Sequence, residues 1–339
     1  MNSILSDSPA QFRPPRLLRN AHVQSIIASF KWRRFLVSRR ARTMLAQSRE
    51  HVLDCGDGVR LLGFHSAHPP EQNQEARPLV ILLHGWEGST DSLYLLSLSG
   101  FLYDLGFDVF RLNFRDHGPT HHLNRDLFHS CRVVEVVGAV RAIQDKFSPP
   151  RMSIVGFSLG GNFALRVAAR APEAGIRLDK AIGICPVLSP SRTLTALEAG
   201  WFVYEQYFVR KWKNSLRRKQ QCFPKHFDFK KILRLKSLND MTDVLVREHT
   251  EYPDMPTYLE GYSIIGDRLA NLTVESHVVL AADDPIIPAR DASELAKSPN
   301  LHVDIVPHGG HCGFVDNFSR ESWADRTIAR ILSEQATSG

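Results

Sequence analysis

The sequence predicts an α/β fold: a mostly parallel central sheet with helices on both faces and a helical cap inserted near one edge. Three observations carry this. Short apolar runs recur at 79–84 (LVILLH), 108–112 (DVFRL), 152–157 (MSIVGF), 180–186 (KAIGICP), 277–282 (HVVLAA) and 302–306 (HVDIV). Helical stretches such as 91–105, 130–146 and 159–171 separate them. Continuous apolar strands alternating with helices are the pattern of a doubly wound parallel sheet covered on both faces. Between Ser189 and Ser276 the alternation stops, and the sequence is helical and aromatic instead. That stretch is too long for a loop, and it reads as a cap over the strand ends where open α/β sheets bind ligands.

The elements follow in order. Residues 1–50 form a basic extension of helical pattern, with Pro14 and Pro15 near its front. "HVLDCGDGVRLLGFH" at 51–65 reads as a hairpin turning at Gly56-Asp57-Gly58, the turn chemistry that tight hairpins need. Residues 66–78 are polar and proline-bounded, hence a loop. The first part of the α/β core spans 51–188, the cap 189–276, and the second part of the core 277–339.

Length and composition narrow the class. The 339 residues are 43% hydrophobic and 23% charged, an ordinary globular balance. The apolar runs are far too short to span a bilayer. The N-terminus lacks a basic segment followed by an apolar core, so no signal peptide is expected. The five cysteines, Cys55, Cys131, Cys185, Cys222 and Cys312, are odd in number and irregularly spaced. They predict reduced thiols and a cytoplasmic protein. No CxxC pair occurs, and no metal site is expected. The net charge of +6 is uneven: 210–236 holds eleven Lys and Arg against Asp228 alone, and 31–42 adds six with no acid.

"SIVGFSLGGNFAL" at 153–165 carries the chemistry. A sharp strand-to-helix turn lifts a serine out of the sheet edge, at the cost of backbone strain. The residues two before and two after it nearly touch, which Gly156 and Gly160 allow. Ser158 is the candidate nucleophile. An acid should stand at the end of a later strand, and "VVLAADDPIIP" offers Asp283 and Asp284. Asp284 precedes Pro285, which favours an extended conformation there; Asp283 is left as a turn or N-cap residue. Three histidines lie beyond, His302, His308 and His311. His302 falls inside a strand, and His308 at the strand exit is expected to bond the backbone. His311, beyond Gly309 and Gly310, suits a base on a flexible loop. The oxyanion hole needs two N–H donors: Leu159, directly after the serine, and Trp86 in "LLHGWEGS", with His84 bracing that loop.

"HGWEGS", "GFSLGGN", "AADDPIIP" and "HGGHCGF" together resemble the α/β-hydrolase superfamily. "RPPRLLRNAHVQSII" resembles the lead segment of its YheT-like branch of abhydrolase-domain proteins. The likeness covers nearly the whole chain. It implies a carboxylesterase or lipase-like activity on a small-molecule or lipid acyl ester, with no metal or organic cofactor. "NFRDHGPTHHLN" departs from the Arg-Gly turn of many relatives. The same acyl-enzyme would serve acyl transfer to an alcohol, and a membrane-associated binding protein with an inactive triad is a third reading.

Four features lie outside this constellation. His117, His121, His122 and His129 do not match a metallo-hydrolase pattern and read as solvated loop or pocket-rim residues. The 210–236 run reads first as a solvated cap face. Docking to an anionic membrane through Trp212, Phe223 and Phe227 is the second reading, and nucleic-acid binding is not expected. Trp201, Phe202, Tyr204, Tyr207 and Phe208 read as cap core more than as an acyl pocket, and a lid lining can do both. Cys312, beside the proposed base, reads as an inert small residue.

Overall fold

The computed structural model describes residues 12–27, 31–69, 76–316 and 321–334. The first eleven residues of the extension, 70–75 of the expected 66–78 loop and 335–339 lie outside the described residues. Eight strands form one sheet: β1 (Ser48–Asp54), β2 (Arg60–Ser66), β3 (Leu79–Leu83), β4 (Asp108–Leu112), β5 (Met152–Phe157), β6 (Lys180–Ile184), β7 (Glu275–Ala281) and β8 (Leu301–Val306). Their order is β1-β2-β4-β3-β5-β6-β7-β8. Six of them, from β4 to β8, run parallel, and β2 alone opposes its neighbours on both sides. The hairpin begins at Ser48, so the expected boundary at residue 50 cuts through β1. Ser48, Arg49 and Glu50 are polar and partly or fully exposed, and an edge strand with no apolar alternation gives no period to find.

The helices are α1 (Ala21–Ile27), α2 (Lys31–Arg40), α3 (Arg42–Ala46), α4 (Leu93–Asp104), α5 (Val133–Phe147), α6 (Leu159–Arg170), α7 (Pro190–Ala199), α8 (Phe202–Cys222), α9 (Leu238–His249), α10 (Met255–Glu260) and α11 (Trp323–Ser333). Strand pleating splits the core in two. Leu79, Ile81 and Leu83 of β3 face α5, α6 and the helices that follow β6. Val80 and Leu82 face α4 and α11. The N-terminal helices join the second layer, where Val37, Ala41 and Met44 are buried. A side chain at Gly100 of α4 would meet the Ala41 backbone at 3.1 Å, so the two helices touch at a glycine.

Between β6 and β7 lie α7 to α10. The longest, α8, buries Val209, Trp212 and Leu216 and is anchored by one charge. Lys219 is fully buried, and its ammonium donates to Asp116 Oδ1 (2.7 Å), the Asn124 carbonyl (2.6 Å) and the Asp126 carbonyl (3.1 Å). Asp116 Oδ2 accepts the Phe128 N–H in return. The expected solvated face therefore loses one cation to the interior. Trp212 is also buried, packed at 5.2 Å against Trp86, so it cannot enter a membrane as the second reading requires. No helix among the described residues is long and apolar enough to cross a membrane.

A buried ion pair broken on one side leaves an uncompensated charge. Lys219→Ala is expected to lower unfolding stability by about 3 to 5 kcal/mol, read by urea denaturation. The double change Lys219→Met with Asp116→Asn should recover part of that loss.

Candidate active site

The sharp turn between β5 and α6 is built from close backbone contacts. A Cβ at Gly156 would sit 2.0 Å from the Gly160 carbonyl oxygen, and one at Gly160 would sit 2.5 Å from the carbonyl oxygens of Leu83 and His84. Ser158 is left at φ 53°, ψ −121°, a region costing about 1–3 kcal/mol for a residue with a side chain. Two bonds hold it there: its N–H donates to the Ile184 carbonyl (2.8 Å), and its own carbonyl accepts the Asn162 N–H (3.1 Å).

The residues that spacing singled out come together. Ser158 Oγ lies 2.9 Å from His311 Nε2, and His311 Nδ1 lies 2.9 Å from Asp284 Oδ2. Nδ1–H faces a carboxylate, so it donates, which leaves Nε2 to accept the Ser158 hydroxyl. The Asp284 carboxylate is fully buried, and its other oxygen accepts the N–H groups of Ile286 (2.8 Å) and Ile287 (3.0 Å). Burial disfavours the charged His311 ring. The Asp284 carboxylate and the Cys312 thiol outweigh that, and the imidazole is held well above its ordinary value of 6.5.

The "HGWEGS" loop faces Ser158. The buried His84 donates through Nδ1 to the Gly85 carbonyl (2.8 Å) and accepts the Phe114 N–H at Nε2 (3.2 Å). Burial keeps it neutral. The Tyr94 hydroxyl accepts the Gly85 N–H (2.9 Å). Leu159 is the first residue of α6, where helix N–H groups have no internal partner. The Trp86 ring stacks on Phe208 of α8 at 5.3 Å.

A cavity of about 760 Å³ opens above Ser158. Tyr204, Tyr207 and Phe208 line it, and Trp201 and Phe202 are exposed. Tyr204 and Phe208 also pack against the core, so they serve as cap core and cavity lining together, while Trp201 and Phe202 join neither. Lys211 and Arg218, two turns apart on α8, face the same space as Arg34 of α2. Burial pushes the Glu87 carboxyl up to about 8 against the pull of Lys211, and Asp91 and Asp116 share the wall with the three cations. His117, His121 and His129 are buried and His122 is exposed; His117 and His121 line the cavity, so the pocket-rim reading holds for these two. Burial lowers His117 and His121 to about 4 and His129 to about 3, so all three are neutral packing groups. His302 lies exposed on β8, stacked on His277.

Sequence reasoning missed the supports of the His311 loop. The His311 N–H donates to Ser25 Oγ (2.8 Å), whose hydroxyl donates to the Ala21 carbonyl (2.7 Å). The fully buried Gln24 accepts the Val315 N–H (2.8 Å) and donates to the Leu18 and Val315 carbonyls (2.6 and 2.8 Å). Side chains at Gly310 and Gly313 would collide with the α1 backbone at 2.3 and 2.7 Å. On the other side, Asp283 Oδ1 accepts the Gly310 N–H (2.9 Å) and Oδ2 lies 3.5 Å from His308. Asp283 sits in the turn after β7, as expected, and from there also fastens the His311 loop; His308 faces a carboxylate rather than the backbone. The resemblance had marked the lead segment without giving it a task, and nothing in its periodicity points to a loop near residue 311.

Comparison with known proteins follows this geometry. Residues 78–318 match the family model described as the alpha/beta hydrolase fold. The chain is 24% identical to the putative esterase YheT of Escherichia coli, over 91% of this chain and 88% of the relative. It is 19% identical to the phospholipase ABHD3 of Bos taurus, over 87% and 74%. The solved Pyrococcus furiosus esterase Pf2001 superposes with a TM-score of 0.55 at 15% identity, over 85% of this chain and 93% of that one. The α1 segment lies outside the span matched by the family model. A fluorophosphonate is expected to label Ser158, and Ser25→Ala should slow that labelling by about 10- to 100-fold without unfolding the chain. Labelling at the wild-type rate would show that α1 does not hold the loop.

Proposed function

The chain belongs to the α/β-hydrolase family, and from that premise we propose that it is a serine hydrolase cleaving carboxylic acyl esters, of small molecules or lipids, through an acyl-enzyme. The observation that carries the reading is the unbroken hydrogen-bond line from Ser158 through His311 to Asp284. His311 Nε2 takes the hydroxyl proton as Ser158 Oγ attacks the ester carbonyl. The buried Asp284 carboxylate holds the ring and stabilises the imidazolium. The N–H groups of Trp86 and Leu159 receive the oxyanion. His311 then protonates the leaving alcohol, activates a water, and that water releases the acid while the proton returns to Ser158. The cavity of about 760 Å³, with aromatic and charged walls, supports an extended acyl ester. Names of the relatives, an esterase and a phospholipase, agree with that chemistry. The basic cap could meet an anionic membrane only through residues other than Trp212.

Hydrolysis of p-nitrophenyl esters from acetyl to palmitoyl tests the proposal. At least one chain length should turn over, and Ser158→Ala should cut the rate by about 10³-fold or more; an equal rate in the variant overturns the reading. The pH profile gives a second test. Only neutral His311 can accept a proton, and its pKa lies above 6.5 in the folded protein. The ring is therefore charged and inactive at lower pH, and kcat/KM should climb as pH rises through that raised value. A limb centred below 6.5 would contradict the pull of Asp284 on the ring.

A further inference from the structure

Two cysteines flank the base and take no part in the proposed reaction. Cys185 follows directly on β6, and Cys312 follows His311. The two sulfurs and a ring nitrogen of His311 all lie within 4.8 Å of one another. Both cysteines are buried and free, and both sit at positive φ, 44° and 57°. The backbone thus aims two non-glycine residues at one point from separate segments. Cys312 Sγ donates weakly to the Ile184 carbonyl (3.7 Å), the residue before Cys185, while Cys185 Sγ donates to the Gly310 carbonyl (3.8 Å), one residue before His311. Their surroundings differ. Cys312 borders the substrate cavity, whereas Cys185 is fully shielded.

We propose that Cys312 and Cys185 are a hydroperoxide-responsive pair: Cys312 is oxidised from the cavity, and Cys185 resolves it into a disulfide that takes His311 out of line with Ser158. In the first step the Cys312 sulfur attacks the O–O bond of a hydroperoxide. An S–O bond forms, the O–O bond breaks, and the thiol proton leaves with the departing oxygen as an alcohol, or as water from hydrogen peroxide. In the second, Cys185 sulfur attacks the Cys312 sulfenic sulfur. The S–S bond forms, the S–O bond breaks, and the hydroxyl leaves with the Cys185 proton as water. Two thiols lose two electrons, and the peroxide gains them.

The environment supports this order. Burial alone would raise the Cys312 thiol, but the adjoining Cys185 thiol and the charge of His311 bring it down to about 6, while burial drives Cys185 well above its ordinary value. Thiolate character and access mark the sulfur that reacts first, and a sheltered neighbour resolves it. A disulfide needs about 2.05 Å, so the sulfurs must close by no more than about 2.8 Å. The segment that would move carries Gly309, Gly310 and Gly313.

The crosslink does not depend on the hydrolase reading; only its effect on turnover does. Reduced protein is treated with hydrogen peroxide, alkylated and digested, and disulfides are mapped by mass spectrometry while ester hydrolysis is followed. A Cys185–Cys312 crosslink is expected, with hydrolysis falling by about tenfold or more and both reversed by dithiothreitol. In Cys185→Ser the crosslink should vanish and dimedone should trap Cys312. The absence of that crosslink in wild type, or a crosslinked protein with undiminished turnover, overturns the proposal. If reduced protein hydrolyses no ester, the hydrolase reading fails, and the mapping still decides whether the pair exists.

Discussion

Everything at the site depends on how closely two backbones approach at the start of α6. Gly160 lets that helix press its first turn against the carbonyl oxygens of Leu83 and His84, and Gly156 lets the strand pass under it. Any side chain at either position would separate helix from sheet. Ser158 would then lose the contact that forces it to φ 53°, and its hydroxyl would fall back toward the sheet. The strain at Ser158 survives because the parallel strands and α6 over-determine the turn. A helix so placed also directs its unsatisfied N–H groups at the space above the hydroxyl, so one steric requirement positions both the Ser158 hydroxyl and the electrostatics around it.

The two sides of that space are fastened to the same helix. Trp86, on the loop that faces Ser158, stacks on Phe208 and packs edge-on against Trp212. On the other side, α1 carries Ser25 under His311 and reaches α8 through His22, whose Nδ1 lies 2.9 Å from the Tyr204 hydroxyl. The early turns of α8 therefore brace the Trp86 loop and, through α1, the His311 loop. A displacement of α8 to admit a substrate would be felt at both. Lys219, three turns on, fixes the far end of the helix.

Much of this was legible in the sequence because it is local or periodic. The parallel strands announce themselves as uninterrupted apolar runs, since both faces of the sheet are covered. The glycine-serine turn is a short-range steric pattern, and Asp284 and His311 follow from where strands must end. What could not be read is non-local. Lys211, Arg218 and Lys219 belong to one basic run, yet two border the cavity and the third is buried against Asp116. Composition cannot tell those fates apart; the facing of α8 decides them. His117, His121 and His129 are likewise hidden by packing that no spacing reveals. Gln24 and Ser25 act through a hydroxyl and an amide on backbone groups, which leaves no hydrophobic period and no charge pattern to notice.

The contact between Ser25 and His311 spans 286 positions of chain, and that separation has a consequence in time. At ribosomal speeds of about 5 to 20 residues per second, the two groups emerge roughly 15 to 60 seconds apart. During that interval α1 has no loop to grip, and the apolar residues of the first helices can only rest on α4 and wait. The turn at Ser158 can form early from neighbouring strands, but His311 follows β8 and is seated only when α1 closes over it. Until α1 closes over the loop, Ser158 stands above the sheet with its histidine partner not yet fixed beside it.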